Sequence, residues 1–454
     1  MQDIAARLWS SLAGDPAALA RLEMVGERRV LPSVFDVTGV ATAAVGVASL
    51  AAAELEAARS GGDMEPVSVT TRESSAAFWS EALFSPQGWE RPPAWDPIAR
   101  DYRGADGWIR LHTNYSHHRA AALRALGLDR GDRDTVAARV ESWAVDDLEA
   151  RVVAEGGAAA AMHTREEWLA HPHGSMSALT PPVEITPGRA GSRGPLPPGT
   201  GPLGGVRILD LTRVIAGPFA TRFLAAWGAE VLRLDPPGFE EVLAIVPEST
   251  AGKRCGFLDL ANPAGRERFL DLVRQADVVV HGYRPGAMGA LGLDQETLRE
   301  ANPDLIISHH DAYGWDGPWA GRRGFDSLVQ MSSGIAAARG TDRPRPLPVQ
   351  ALDHTVGMLV ASAVCRALTI RVREGTVSDI RASLIGAANL LYESPDPGAI
   401  SIDGPSFTIE DTERRATWWG PARAVPIPGY IGDRRPHLVI EPGPLGRHEP
   451  AFAS

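Results

Sequence analysis

Residues 206–235 read VRILDLTRVIAGPFATRFLAAWGAEVLRLD. The run 206–211 is rich in branched apolar residues, the pattern of a strand buried on both faces. Residues 219–227 form a helix segment, and 230–234 returns to a strand pattern. Strand, short helix and strand make a βαβ unit with parallel strands. The alternation continues with a helix over 266–275, a strand over 277–280, a helix near 295–300 and a strand over 305–308. The expected fold class is therefore α/β, an open parallel Rossmann-like sheet with flanking helices. Such sheets hold ligands beyond the C-terminal ends of their strands.

The first strand-to-helix loop, residues 212–218, has one glycine followed by Pro218. A dinucleotide site needs G-x-G-x-x-G, so that backbone amides can approach a pyrophosphate. Proline removes one such donor. NAD or FAD in the usual mode is not expected. The Walker A and G-x-S-x-G patterns are absent as well.

Outward from this unit, Pro, Gly and Ser dominate residues 171–205. That composition predicts an extended connector. The chain then divides into a helix/strand segment with a smaller α+β domain (1–172), the connector (173–203), the large domain (204–393) and an extended tail (394–454). In the first region the pattern predicts a helix over 37–58 and strands over 67–71, 108–112 and 158–162. Helices are expected over 146–155 and 164–170, the latter with a Thr164/Glu167 capping box. A weak repeat is visible. Leu31-Pro32, a small-residue helix and a strand ending near Ser74 resemble Leu347-Pro348, the helix over 353–368 and the strand over 377–384. The spacing of Asp36 differs by one residue from that of Asp353.

The chain has 454 residues and a net charge of −11. No basic run marks a nucleic-acid footprint. Two cysteines, Cys255 and Cys365, exclude a disulfide framework and point to a reducing, cytoplasmic setting. The stretch 40–53 is too short and too weakly apolar to predict a membrane span, and the first residues lack a signal-peptide pattern. His309, His310 and Asp311 invite a metal reading. Strand alternation puts His309 and His310 on opposite faces, so no metal site is expected. A second pair, His117-His118, comes after a strand without a matching carboxylate motif. Lys253 is the one lysine among 45 basic residues.

Five blocks carry a resemblance: residues 204–236, GKRCGFLDL (252–260), ADVVVHGYRPG (276–286), YGWDGPWAGRRGFDSLVQMSSG (313–334) and residues 347–368. In this order they resemble class III acyl-CoA transferases, the formyl-CoA and carnitine-CoA transferase family. GADGWIRLH, GGAAAAMHT and EEWLAHP resemble the family's small domain, which here precedes the sheet region instead of coming after it. The resemblance implies transfer of CoA between carboxylic acids, with acyl-CoA as substrate and no metal or redox cofactor. It also implies an interlocked homodimer. The nucleophile it implies is Asp353, in LDHTVG, which would pass through a mixed anhydride and an aspartyl-CoA thioester. On local sequence alone, Asp353 reads as a plain helix cap.

By motif position the implied CoA contacts are Val214, Leu258, Tyr283, Arg284 and Arg323. Lys253 joins them because it sits in the second block. Two family positions differ: an adenosine-contacting Arg is Pro236 here, and an Asn is Gly282. Asp326 is the runner-up carboxylate. In the related α-methylacyl-CoA racemases the residue before it is an acid/base His. Here that position is Phe325, which cannot move a proton. A racemase or isomerase, and a non-catalytic CoA-binding protein, remain the alternatives. Gly357 is expected to let a chain segment or the thioester come close to its helix.

Overall fold

The computed structural model describes residues 1–191, 196–395 and 406–453. The first principal elements are β1 (Leu22–Val25), α1 (Val37–Ser60), β2 (Val67–Thr70), α2 (Thr71–Ala77) and α3 (Ser80–Leu83). The small α+β unit comes next with β3 (Asp101–Arg103), β4 (Trp108–Leu111), α4 (Ser116–Ala125), α5 (Val145–Ala154) and β5 (Ala159–Ala161). Its three strands form an antiparallel sheet around a core of its own, built on Ile98, Ile109, Val136 and Leu148. Thr164 and Glu167 make the expected capping box.

The large sheet begins with β6 (Val183–Ile185) and β7 (Arg207–Leu211), then α6 (Ala216–Ala226), β8 (Glu230–Asp235), β9 (Lys253–Phe257), α7 (Pro263–Val273), β10 (Val278–His281) and β11 (Ile306–Asp311). It ends with α8 (Asp326–Ser332), α9 (Ala351–Glu374), β12 (Ile380–Ser383) and α10 (Leu384–Tyr392). The strand order is β9-β8-β7-β10-β11-β12-β6. Every neighbouring pair is parallel except β12 with β6. The order runs outward in opposite directions from β7 and β10. Between their C-terminal ends lies the switch point where such sheets open a crevice.

Three expectations change. The connector is not merely extended, because its residues 183–185 pair with β12 as the sheet's edge strand. Pro181-Pro182 precede them, and an edge tolerates the missing amide donors. The segment before the small unit shares the core of the large sheet. α1 is buried for most of its length and packs along α9. Arg366 of α9 pairs with Glu54 of α1 across this contact. Both helices are long and apolar enough to cross a membrane, and both are largely buried in this core. The tail lies on the surface only in part, since Tyr430–Ile431 pairs with β2 and Ile431 is buried. The breaker-rich stretch 396–405 lies outside the described residues.

Candidate functional site

A cavity of about 420 Å³ opens at the switch point. The loops after β7 and β10 supply Val214, Tyr283 and Arg284. The segment before α8 supplies Arg323 and Phe325, and the first turn of α9 supplies Asp353. Five of the expected site residues thus line one space. Leu258 and Lys253 do not. Leu258 packs against the cluster under α7, and Lys253 points into the protein.

The first loop is held from below. Asp210, fully buried on β7, accepts from Thr212 N–H at 2.9 Å and from Thr221 Oγ1 at 2.6 Å. Lys253 Nζ donates to Asp210 Oδ2 at 2.9 Å and to the Pro218 carbonyl at 2.8 Å. Burial would raise the Asp210 pKa, but Lys253 and Arg233 hold it down at about 2. The lysine ties β9 to the loop from the interior and does not line the cavity. Within this loop Val214 sits at φ 63°. A β-branched residue there stores about 1–3 kcal/mol of strain, which such a scaffold can hold in place.

Gly282 opens the loop after β10. A Cβ there would lie 2.7 Å from His310 Nε2, so the imidazole fills the space a side chain would need. His309 points the other way, with Nε2 2.6 Å from the Tyr283 carbonyl. Among the described residues no cluster of His, Cys, Asp and Glu could hold a metal ion.

Asp353 is not the helix cap. α9 starts at Ala351, and Asp326 does the capping by accepting from Leu352 N–H at 2.8 Å and Asp353 N–H at 3.0 Å. Gln330 donates to its other oxygen. The Asp353 carboxyl has no hydrogen-bond or ion-pair partner among the described residues. It is 9% exposed. Burial, then Asp326, then Glu81 push its pKa well above the usual carboxylate range. Burial pushes Asp326 up to about 6, against its amide and Gln330 hydrogen bonds. Two carboxyl groups this close titrate as a pair. Gly357, one turn on, faces the Ala216 carbonyl, 2.7 Å from where a Cβ would be. The close approach is that of a chain segment.

Arg323 and Arg284 are neighbouring cations with no ion pair among the described residues. Burial and the adjacent Arg284 lower the pKa of Arg323. Two such guanidinium groups at one cavity favour an anion between them.

The small unit completes the wall. Tyr115, His117 and His118, at the start of α4, line the cavity opposite the sheet. Tyr115 Oη donates to Glu241 at 3.2 Å, which docks the unit on the loop after β8. His112 stacks on Phe325 at 3.7 Å with rings 3° from parallel. Burial, with His117 and the two arginines, drives His118 down to about 3, so it is neutral. The sequence shows the His117-His118 pair, but nothing in it places that pair across from Asp353. Asp311 was legible only as part of a metal pattern. It lines the same cavity, and burial raises it to about 7.

Residues 203–399 match the sequence profile of CoA-transferase family III. A probable fatty acyl-CoA transferase of Mycobacterium tuberculosis is 34% identical over 202 residues, covering 41% of this chain and 51% of that protein. The succinate–glutarate CoA-transferase of Agrobacterium fabrum is 31% identical over 218 residues, covering 42% of this chain and 54% of that one. A solved CaiB/BaiF family protein from Brucella suis is 27% identical, with a TM-score of 0.40 over 49% of this chain and 65% of that one. The chain spans about half the length of these two curated relatives.

Proposed function

We propose, taking residues 203–399 as the CoA-transferase family III segment that they match, that the protein moves CoA between two carboxylic acids with Asp353 as nucleophile. The observation that carries this reading is one carboxyl, unpaired among the described residues, in the first turn of α9 at the switch-point cavity.

The Asp353 carboxylate attacks the thioester carbonyl carbon of the donor acyl-CoA. The C–S bond breaks, CoA thiolate leaves, and a mixed anhydride forms. The thiolate then attacks the aspartyl carbonyl and expels the donor carboxylate, leaving aspartyl-CoA. An acceptor carboxylate attacks that thioester and releases CoA thiolate. The thiolate attacks the acceptor's acyl carbon, which yields the new acyl-CoA and free Asp353. No proton or electron is consumed.

The site suits these demands. The positive end of α9 favours the carboxylate. Val214 and Tyr283 offer apolar wall to the CoA arm, and Arg284 with Arg323 offers two cations to its phosphates. Phe325, stacked on His112, holds the place where a racemase would need a proton carrier.

The test is exchange of labelled free acid into acyl-CoA, in either order of addition. Wild type should exchange with ping-pong kinetics. Asp353→Ala should lose on the order of 10⁴-fold or more of the rate. Exchange by Asp353→Ala near the wild-type rate contradicts the assignment.

A further inference from the structure

Two parts of the chain repeat one another in detail. α1 and α9 are both 24 residues long. The residues before them share one backbone conformation, φ −74° and ψ 63° at Asp36, φ −74° and ψ 64° at Gln350. Both helices end on a left-handed glycine, Gly61 and Gly375. Each leads on to a four-residue strand whose last residue caps the next helix, Thr70 in one case and Ser383 in the other.

Counted from the helix starts, the position of Asp353 is held by Gly39. Asp36 caps α1 by accepting from Gly39 N–H at 2.7 Å. A Cβ on Gly39 would collide with that carboxylate. The first copy therefore has neither a nucleophile nor room for one.

The copies also exchange contacts. Phe78, after the first, stacks on His354 at the start of α9, 5.2 Å between ring centres. Tyr392, equally far from the start of its own long helix, meets Phe35 edge-on at 5.1 Å beside the start of α1. Asp36 N–H donates to the Ser394 carbonyl at 2.8 Å. Glu81 Oε2 lies 3.0 Å from His354 Nε2. Each unit seats its tail on the head of the other's long helix.

We infer that residues 31–83 are an in-chain copy of the nucleophile-bearing unit, inert itself, that positions Asp353 through Glu81. The inference rests on Asp353 being the nucleophile. Glu81 does not line the cavity, so it is a positioning residue. It fixes the imidazole next to Asp353 between the rings of Phe78 and Phe219. Its charge opposes ionisation of Asp353 from one side and Asp326 from the other. The other charged and titratable groups lining the cavity with Asp353 include His118, His310, Asp311 and the Arg284/Arg323 pair, and Glu81 is not among them.

The test compares full-length wild type, Glu81→Gln and Glu81→Asp in acyl exchange across pH. Glu81→Gln should lower kcat by about 10–100-fold with little change in KM, the size of effect a small misplacement of the nucleophile produces. It should also move the acid limb of kcat/KM to lower pH, because one negative neighbour of Asp353 is gone. Glu81→Asp should return the limb toward wild type. If Glu81→Gln does not fold, His354→Gln reads the same contact through kcat. Unchanged kcat and an unchanged limb in a folded variant overturn the inference alone. A wild type that exchanges no CoA overturns the reading of Asp353 and this inference with it.

Discussion

The single lysine defines the residue scale. Lys253 is fully buried, and its ammonium bridges Asp210 and the Pro218 carbonyl. Arginine carries a wider, planar fork, and a compact cation suits this space. Lys253→Met leaves Asp210 buried without its partner and should cost about 3–5 kcal/mol of stability. Denaturant unfolding measures this, and a change under about 1 kcal/mol contradicts the structural role. The sequence brought this lysine to notice as the one lysine in the chain, and its block pointed toward the CoA site; the structure sets it inside instead, since a strand alternates its faces and KRCGF does not mark the outward one. Val214 was legible from its block, and its left-handed backbone was not. No local pattern announces strain on a valine.

At the scale of elements, the proposed nucleophile sits on a helix whose cap is supplied by another helix. Asp326 of α8 holds the first amides of α9 and, as an anion, opposes ionisation of Asp353. In the proposed reaction the attacking form is the deprotonated one. A raised pKa means that activity is lost as pH falls through the raised value. The acid limb of kcat/KM is expected well above the usual carboxylate range and not near 4. Asp326→Asn keeps an acceptor for the amides and removes the charge, so the limb should move to lower pH. A limb near pH 4 in wild type, or one unmoved in Asp326→Asn, contradicts the coupling. The long helices and most strands were legible because their periodicity is strong, whereas Ser116–Ala125 and Leu384–Tyr392 were not marked as helices in the sequence. The cap was not, because Asp326 and Asp353 are far apart in sequence and each looks like the start of its own helix.

For the whole molecule, the repeat decides the architecture. α1 and α9 read alike as alanine-rich helices, but sequence alone cannot tell packing partners from chance likeness of composition. Their shared core shows that the first residues belong with the sheet. Deleting residues 1–61 removes α1 and bares one face of α9. The truncated chain should be insoluble or lack a cooperative transition, and a soluble truncated protein with wild-type unfolding contradicts the shared core. The sheet itself was legible from 206–235 outward. The wall built by Tyr115, His117 and His118 was not, since it forms only when the small unit docks on the loop after β8. The central claim remains chemical. Full-length protein incubated with an acyl-CoA and a free acid, quenched with hydroxylamine and digested, is analysed by peptide mass spectrometry. A hydroxamate on the Asp353 side chain, absent without acyl-CoA, is the predicted result. Active exchange with an unmodified Asp353 peptide, or with the adduct on another carboxylate, would contradict it.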